Sequence, residues 1–361
     1  MALDRISILD FRNHRQTALE DTARFNLLVG ANGAGKTNVL EALSLLAPGR
    51  GLRRAKLPEM ARIDGPGGFT VAARLQPADG AEPVQLGTVV EPAQPGRRRV
   101  RVNGAERSAL GLSEWLSVRW LTPAMDGLFT DSAGARRRYL DRLALATAPG
   151  HAALSNRYET ALRNRNRLLS DDAPPDPHWL DALEAQLAEH GAALAANRRA
   201  LVEELNRELE AQADALFPRP LLAIEPTGPE ERTALADALR ANRTTERRAG
   251  RTLVGPHRAE LAVTLADKGV PAARASTGEQ KAMLIAITLA HGTLATRGRA
   301  GLLLLDEVAA HLDPQRREAL FERLAANREQ VWMTGTERMP FDPILADAAV
   351  WDVSGGTLRR I

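Results

Sequence analysis

The stretch Gly30-Ala31-Asn32-Gly33-Ala34-Gly35-Lys36-Thr37 satisfies the phosphate-loop pattern G-x-x-x-x-G-K-[ST] at every position. Its flanks suit the pattern. Phe25–Val29 reads as a buried strand, and Thr37–Leu46 reads as an amphipathic helix. Strand, glycine loop and helix in that order point to an α/β fold. In such a turn, backbone N–H groups wrap a polyphosphate and the helix N-terminus adds a positive dipole end. Lys36 is expected to reach the β- and γ-phosphates, the Thr37 hydroxyl to bind Mg²⁺, and Asn38 to complete the nucleotide-binding set. The competing reading is an ordinary strand–turn–helix with incidental glycines. The full pattern in this context favours a nucleoside triphosphate.

A phosphate loop alone does not make a hydrolytic site. The run Gly301-Leu302-Leu303-Leu304-Leu305 is wholly apolar and ends in Asp306-Glu307. Buried strands of parallel sheets read this way, and ligands of open α/β sheets sit at the carboxyl ends of such strands. Asp306 is therefore expected to hold Mg²⁺, and Glu307 to polarise a water for in-line attack on the γ-phosphate. The alternative is a strand that ends in solvated acids. With Lys36, these two acids form the expected catalytic set.

A third element is Ser276-Thr277-Gly278-Glu279-Gln280-Lys281, which opens an apolar helix about 25 residues before the acidic strand. A serine and an accessible glycine at a helix N-terminus offer a second anion site, drawn from Ser276, Gly278, Glu279 and Gln280. Thr277-x-x-Gln280 also fits a capping box, and both readings can hold together.

With 361 residues, the chain is long enough for two domains or one elaborated one. It has no cysteine, which excludes disulfides, thiolate metal sites and thiol catalysis, and suits a reducing cytoplasm. The start, Met1-Ala2-Leu3-Asp4-Arg5, lacks the apolar core of a signal peptide. The apolar run Met283–Leu289 is too short to span a bilayer. The formal net charge is +3 and nearly all the positive charge is arginine, which is compatible with nucleic acid without requiring it. To about Leu121 the chain reads as strands, with alternation at Ile6–Phe11, Phe69–Leu75 and Gln85–Val90, and a hairpin at Asn103-Gly104. From Arg136 to about Arg248 it is rich in Ala, Leu, Arg and Glu at helical spacing, interrupted by prolines at 174–177 and 218–220. This predicts an antiparallel helical arm. Strand and helix then alternate again, with Asp313 and Pro314 starting a helix and a closing hairpin at Gly355-Gly356. The expected division is an ATPase lobe from 1–122 and 250–361 and a mostly helical lobe from 123–249.

The loop, the signature-like segment and the acidic strand together resemble the ABC-type ATPases. In that superfamily a signature loop contacts the γ-phosphate of nucleotide held by a second subunit. Ala310-His311-Leu312-Asp313 resembles its D-loop, with Asp313 the matching residue. The resemblance narrows to the RecF family of bacterial recombination mediators. It rests on Ile8-Leu9-Asp10-Phe11-Arg12-Asn13, on the segment from Leu27 to Ala42, and on Arg136-Arg137-Arg138-Tyr139-Leu140-Asp141. Val254-Gly255-Pro256-His257-Arg258-Ala259-Glu260 and Ser276–Lys281 continue it. It implies an SMC-head-like P-loop ATPase with an inserted helical lobe, and an ATP-dependent homodimer with shared sites. It also implies slow, DNA-stimulated hydrolysis and binding to single-strand gaps and duplex–single-strand junctions. Work with RecR and RecO to load RecA, and support of the SOS response, follow from it too. In related heads the Arg12 position helps hold nucleotide. Two features depart from the ABC pattern. No histidine follows Val331-Trp332-Met333-Thr334, where Thr336 stands in, and no Q-loop glutamine accompanies Thr122-Pro123. The ATPase subunit of a membrane transporter and an ATP-gated structural clamp with negligible turnover are the alternative functions.

Three basic groups are candidates for DNA contact. Arg97, Arg99 and Arg101 share one face of a strand, although charged edges also prevent aggregation. Arg136-Arg137-Arg138 opens a helix, against its dipole. His257 and Arg258 follow a Gly-Pro turn, where a site role and a structural contact are both open. Aromatic residues are not interleaved with these arginines, so binding is expected to follow the backbone and depend on salt.

Overall fold

A computed structural model describes residues 2–77, 80–148, 150–212, 216–296, 299–309 and 312–361. These fall into two compact units. One takes residues from 2–126, 216–217 and 284–361, and the other takes 127–212 and 218–283.

The first unit carries two six-stranded sheets. Strands β1 (Ala2–Phe11) and β2 (His14–Glu20) open the chain, followed by β3 (Phe25–Val29) and helices α1 (Lys36–Ser44) and α2 (Leu57–Met60). Next come β4 (Phe69–Gln76), β5 (Val84–Val90), β6 (Arg98–Val102), β7 (Ala105–Arg107) and β8 (Leu116–Leu121). An antiparallel sheet runs β2-β1-β4-β5-β6-β7. In β4 every second residue is buried, the alternation expected of a sheet with one face on the core. The β6–β7 turn has Asn103 and Gly104 at φ 49° and 80°, as a type I′ hairpin requires.

The second unit follows in sequence. It contains α3 (Ala133–Thr147), α4 (His151–Ser170), α5 (Pro177–Ala211), β9 (Pro220–Glu225), α6 (Arg232–Ala241), α7 (Arg243–Ala249), β10 (Glu260–Leu265) and β11 (Val270–Pro271). Helix α8 (Thr277–Ala295) crosses the boundary between the units at Met283/Leu284. Then β12 (Ala300–Leu305), α9 (Pro314–Ala326), β13 (Gln330–Gly335), β14 (Ala348–Ser354) and β15 (Thr357–Arg360) return to the first unit. They build its second sheet, β15-β14-β3-β13-β12-β8, parallel from β14 to β8. All residues of β3, β8, β12 and β13 are buried, which explains why β12 reads as an unbroken apolar run. One core joins both sheets and α1, with Ile6, Phe11, Val71, Leu40, Leu43, Leu304 and Trp332 among its members.

In the second unit, α4 and α5 form an antiparallel hairpin around the proline-rich connection. Arg165 faces Glu184, and Tyr158 lies over Gly191. A Cβ at Gly191 would sit 3.0 Å from the Tyr158 ring, so glycine permits this approach. Leu183, Leu187, Leu194, Leu235 and Leu239 fill the remaining contact. Two expectations are corrected here. Residues 220–225, read as part of the helical region, form β9 and pair with β10. Pro220 suits the first residue of a strand, and Leu222 is buried in a pattern a short half-covered strand can satisfy. Residues 250–283, assigned to the ATPase lobe, cluster with the helices because β10 pairs with β9. Asn206 of α5 closes the β9 edge, with its amide accepting from the Leu222 N–H and donating to the Leu222 carbonyl.

Candidate nucleotide site

The loop between β3 and α1 is held from behind by its neighbours in the first unit. Asn13 Nδ2 donates to the Ala34 carbonyl at 3.0 Å, and the Gly356 N–H donates to the same oxygen at 3.0 Å. His14 Nε2 lies 3.1 Å from the Gly35 carbonyl. A carbonyl only accepts, so this nitrogen carries the proton and Nδ1 accepts from Thr17 at 3.0 Å. Burial pushes the His14 pKa down, keeping the ring neutral. Gly35 adopts φ 116°, and a Cβ there would lie 2.7 Å from Asn13, so backbone angle and space both require glycine.

Inside this frame, Lys36 Nζ rests on the loop's own Gly30 and Ala31 carbonyls at 2.6 and 3.0 Å. Thr37 Oγ1 donates to Asp306 at 2.9 Å (Oδ1) and 3.1 Å (Oδ2). Asp306 follows β12 and is buried, with its N–H on the Leu121 carbonyl of the neighbouring β8. Glu307 comes next, at φ 53°. An acidic residue with positive φ is uncommon and strained, and such strain clusters at functional sites. Its carboxylate has no hydrogen-bond partner among the described residues. It lines a cavity of about 230 Å³ together with Asn32, Gly33, Gly35, Lys36, Thr37, Asn38 and Arg53. Of the sequence-derived residues, Asn32, Gly33, Gly35, Lys36, Thr37, Asn38 and Glu307 thus meet at one cavity, Gly30, Ala31 and Ala34 do not line it, and Asp306 lies directly behind Thr37. A polar cleft with a cation on one side and an uncommitted carboxylate on the other can bind a phosphate chain and orient a water.

Three residues around this site, Arg53, Glu41 and Thr334, escape a reading of motifs alone. Arg53 lines the cavity, bonded to Asn38 at 2.8 Å and to Glu41 at 3.2 Å. Arg12, the expected nucleotide-holding arginine, does not line it. Its guanidinium is committed to the fully buried Glu41 by two hydrogen bonds of 2.8 and 2.9 Å and to the Glu59 carbonyl at 2.6 Å. Glu41 needs both arginines because a buried carboxylate must be paired. Thr334, at the end of β13, contacts Asp306 and Glu307, whereas Thr336 two residues on is exposed.

The signature-like segment belongs to the second unit. Helix α8 begins at Thr277, so Ser276 rather than Thr277 is its N-cap. The capping box is Ser276/Glu279, not Thr277/Gln280. Glu279 accepts from the Ser276 N–H at 2.8 Å and from the Ser276 hydroxyl at 2.9 Å. Lys268 adds a 2.5 Å ion pair, and with the Ser276 bonds it pulls the Glu279 pKa down to about 2. Gln280 instead donates to the Ala275 carbonyl at 2.9 Å, and Gly278 is exposed. In the first unit, Asp313 caps α9 through the Arg316 N–H at 3.0 Å; Ala310 and His311 of the same expected D-loop lie outside the described residues.

The basic groups are largely committed within the chain. Arg99 pairs with Glu91 at 2.9 Å and Arg101 stands opposite Glu106 on β7. Arg98, on the other face, donates to the Gly49 carbonyl at 2.8 Å and to the Ala47 carbonyl at 3.0 Å, beyond the end of α1. Arg136 forks onto Glu260 at 2.6 and 2.9 Å, and Arg137 donates to the Ala259 carbonyl at 2.9 Å. His257 is held between the Tyr158 hydroxyl at 2.7 Å and the Thr252 carbonyl at 3.2 Å, a structural contact inside the second unit. Arg258 is exposed.

A family model described as the RecF/RecN/SMC N terminal domain matches residues 2–340. The DNA replication and repair protein RecF of Mesorhizobium japonicum is 45% identical over 372 residues, covering 99% of this chain and 97% of its own length. RecF of Rhizobium leguminosarum bv. trifolii is 42% identical over 378 residues, at 99% and 98% coverage. Among solved structures, the recombination mediator protein RecF-ATPrS of the RecFOR pathway has the same fold, with a TM-score of 0.85 at 23% identity and coverage of 99% and 98%. The Smc head domain of Pyrococcus furiosus matches at 0.54 and 16% identity, covering 100% and 96%. The chain carries an SMC-head-like, ABC-type P-loop ATPase fold and belongs to the RecF family.

Proposed function

We propose that this protein is an ATP-dependent DNA-binding switch of replication and gap repair. The observation that carries the reading is the meeting of Thr37 with Asp306, 269 residues apart in sequence, beside a cavity that the free Glu307 carboxylate lines. Among the described residues, no group of three or more His, Cys, Asp or Glu side chains forms a metal cage. Thr37 and Asp306 offer hydroxyl and carboxylate oxygens only, so a cation there would complete its shell with water and nucleotide phosphates. This donor set fits Mg²⁺, which favours oxygen ligands and keeps much of its hydration. When bound, Mg²⁺ held by Thr37 and Asp306 would supply positive charge that offsets the charge of the phosphate chain. Lys36 would leave the loop carbonyls for the β- and γ-phosphates, and Glu307 would orient the attacking water.

The family supplies the rest of the reading. Relatives are named DNA replication and repair proteins, and one solved structure of the same fold is described as a recombination mediator in the RecFOR pathway. On this basis the chain binds DNA at gaps and junctions, dimerises on ATP with Ser276 completing the partner's site, and turns ATP over slowly. It would act with RecR and RecO ahead of RecA, in the cytoplasm, and support the SOS response. Binding to gapped and blunt duplex DNA, with and without Mg²⁺-ATP across a salt series, tests the proposal. Gapped DNA should be preferred only with ATP, and Glu307→Gln should lengthen the lifetime of that complex. Equal binding with and without ATP, or no preference between the two DNAs, would sink it.

A further inference from the structure

We propose that Thr334 is a positioning residue that ties the metal side of the site to its water-orienting side. The inference rests on the reading of Asp306 as the Mg²⁺-side acid and Glu307 as the water-side acid. Thr334 is the penultimate residue of β13 and is 1% exposed. Its hydroxyl is 2.9 Å from the Glu307 N–H and 2.8 Å from Asp306 Oδ1. The direction of both bonds is fixed by chemistry. An amide N–H can only donate, so the hydroxyl accepts from Glu307. An ionised carboxylate can only accept, so the hydroxyl proton points at Asp306.

Each bond does something that packing alone would not. On one side, Asp306 Oδ1 receives two hydroxyls, one from Thr37 and one from Thr334. Thr37 is an expected metal ligand and would have to give up its bond to Asp306 when a cation enters. Thr334 lies behind the carboxylate and can keep its bond, so it holds the carboxylate plane while Thr37 changes partner. Hydrogen bonds of this kind orient metal-ligating carboxylates and raise metal affinity. On the other side, Glu307 sits at φ 53°, a strained conformation that persists only when its surroundings impose it. The bond from its N–H to Thr334 is the backbone restraint at that residue. It keeps the Glu307 side chain on the cavity. A single hydroxyl therefore fixes both neighbouring acids. A valine has nearly the same shape as threonine and would preserve packing while removing both bonds.

The test uses the full chain, a fluorescent ATP analogue and a Mg²⁺ titration. Thr334→Val should need about 10–100-fold more Mg²⁺ than wild type for half-maximal nucleotide binding. Its metal-free nucleotide affinity, measured in chelator, should stay within about twofold, because the loop and Lys36 are untouched. Phosphate release should fall by about the same 10–100-fold. Thr334→Ser, which restores the hydroxyl, should return the Mg²⁺ requirement to within about threefold of wild type. Thr334→Ala provides the same test if the valine variant does not fold. An unchanged Mg²⁺ requirement in the variants lacking the hydroxyl overturns the inference, as does a serine variant as impaired as valine. A wild-type protein whose nucleotide binding ignores Mg²⁺ removes the underlying reading of Asp306 as well.

Discussion

The two units each bury a polar cluster, and the clusters differ in one respect that separates scaffold from site. In the second unit, Arg165 is completely buried and all five of its N–H donors are used. They go to Glu184 twice, Glu246, Thr252 and the Leu239 carbonyl. Glu246 turns its other oxygen to the Leu253 N–H, and Glu184 also receives Arg243. That network closes on itself. In the first unit, Asp306 is satisfied by Thr37 and Thr334, but the chain of contacts ends at a Glu307 carboxylate that has no hydrogen-bond partner among the described residues, on a cavity. Both clusters obey the rule that buried polar groups are paired. Only one of them keeps spare valence where a ligand fits. A closed network specifies a fold, and an open one offers chemistry.

The largest expected effect lies in the closed network. Arg165→Met removes one charge and leaves Glu184 and Glu246 buried without it. Breaking a buried pair from one side costs about 3–5 kcal/mol. Urea unfolding should show that loss, and hydrogen exchange should show it concentrated in α4, α5 and α7. A cost below about 1 kcal/mol would mean that water reaches the cluster and that the contrast between closed and open networks is false.

How far this contrast was legible beforehand depends on sequence distance. The phosphate loop, the apolar β12 with its terminal acids, the Asp313 cap and the Asn103-Gly104 turn are local patterns. Each follows from backbone requirements of neighbouring residues, and each stands in the fold where expected. The roles of Arg12 and Arg53 could not be separated in this way. That both arginines reach Glu41 while Arg53 alone of the two lines the cavity depends on how α1 packs against the first β-hairpin. Thr334 was invisible for the same reason, since a threonine at the end of an apolar strand usually signals only the strand's end. The capping box slipped by one residue because Ser276 and Thr277 both suit an N-cap. Segment 220–225 was lost to its Leu- and Ala-rich surroundings, and pairing with β10 decided its form.

A smaller effect concerns pH, and again it tests how tightly the second unit is closed. Burial, followed by the charges of Arg258, Arg137 and Arg165, pushes the His257 pKa from 6.5 to about 4, against the raising influence of the Thr252 carbonyl. The unfolded chain therefore takes up a proton near pH 6.5 and the folded chain does not until about pH 4. Stability is full above the unfolded value and is lost as pH falls between the two. Between pH 7 and pH 5 the loss is about 2 kcal/mol from this residue. His257→Gln should flatten that slope in denaturant titrations at the two pH values. Part of the slope should remain, because His14 of the first unit is also lowered by burial. An unchanged slope would mean that the Tyr158–His257–Thr252 contact admits a proton and that the cluster is not closed.

The smallest effect concerns a cluster intermediate between the two. The Ser276 hydroxyl is satisfied, like Arg165, yet it is exposed, like the open side of the nucleotide cavity. Its bonds to Glu279 are local and surrounded by water, so releasing them costs little. Ser276→Ala should lower stability by about 1 kcal/mol, the usual loss for an N-cap. The phosphate loop lies in the other unit and contains no part of this cap, so the affinity of the monomer for ATP should not change. If Ser276 contributes to a partner's nucleotide site, ATP-dependent self-association by light scattering should weaken in Ser276→Ala and vanish in Ser276→Arg. Glu279→Gln weakens the box but leaves the hydroxyl free to turn outward, and it should preserve self-association. Loss of self-association in Glu279→Gln together with its retention in Ser276→Ala would assign the segment to helix capping alone.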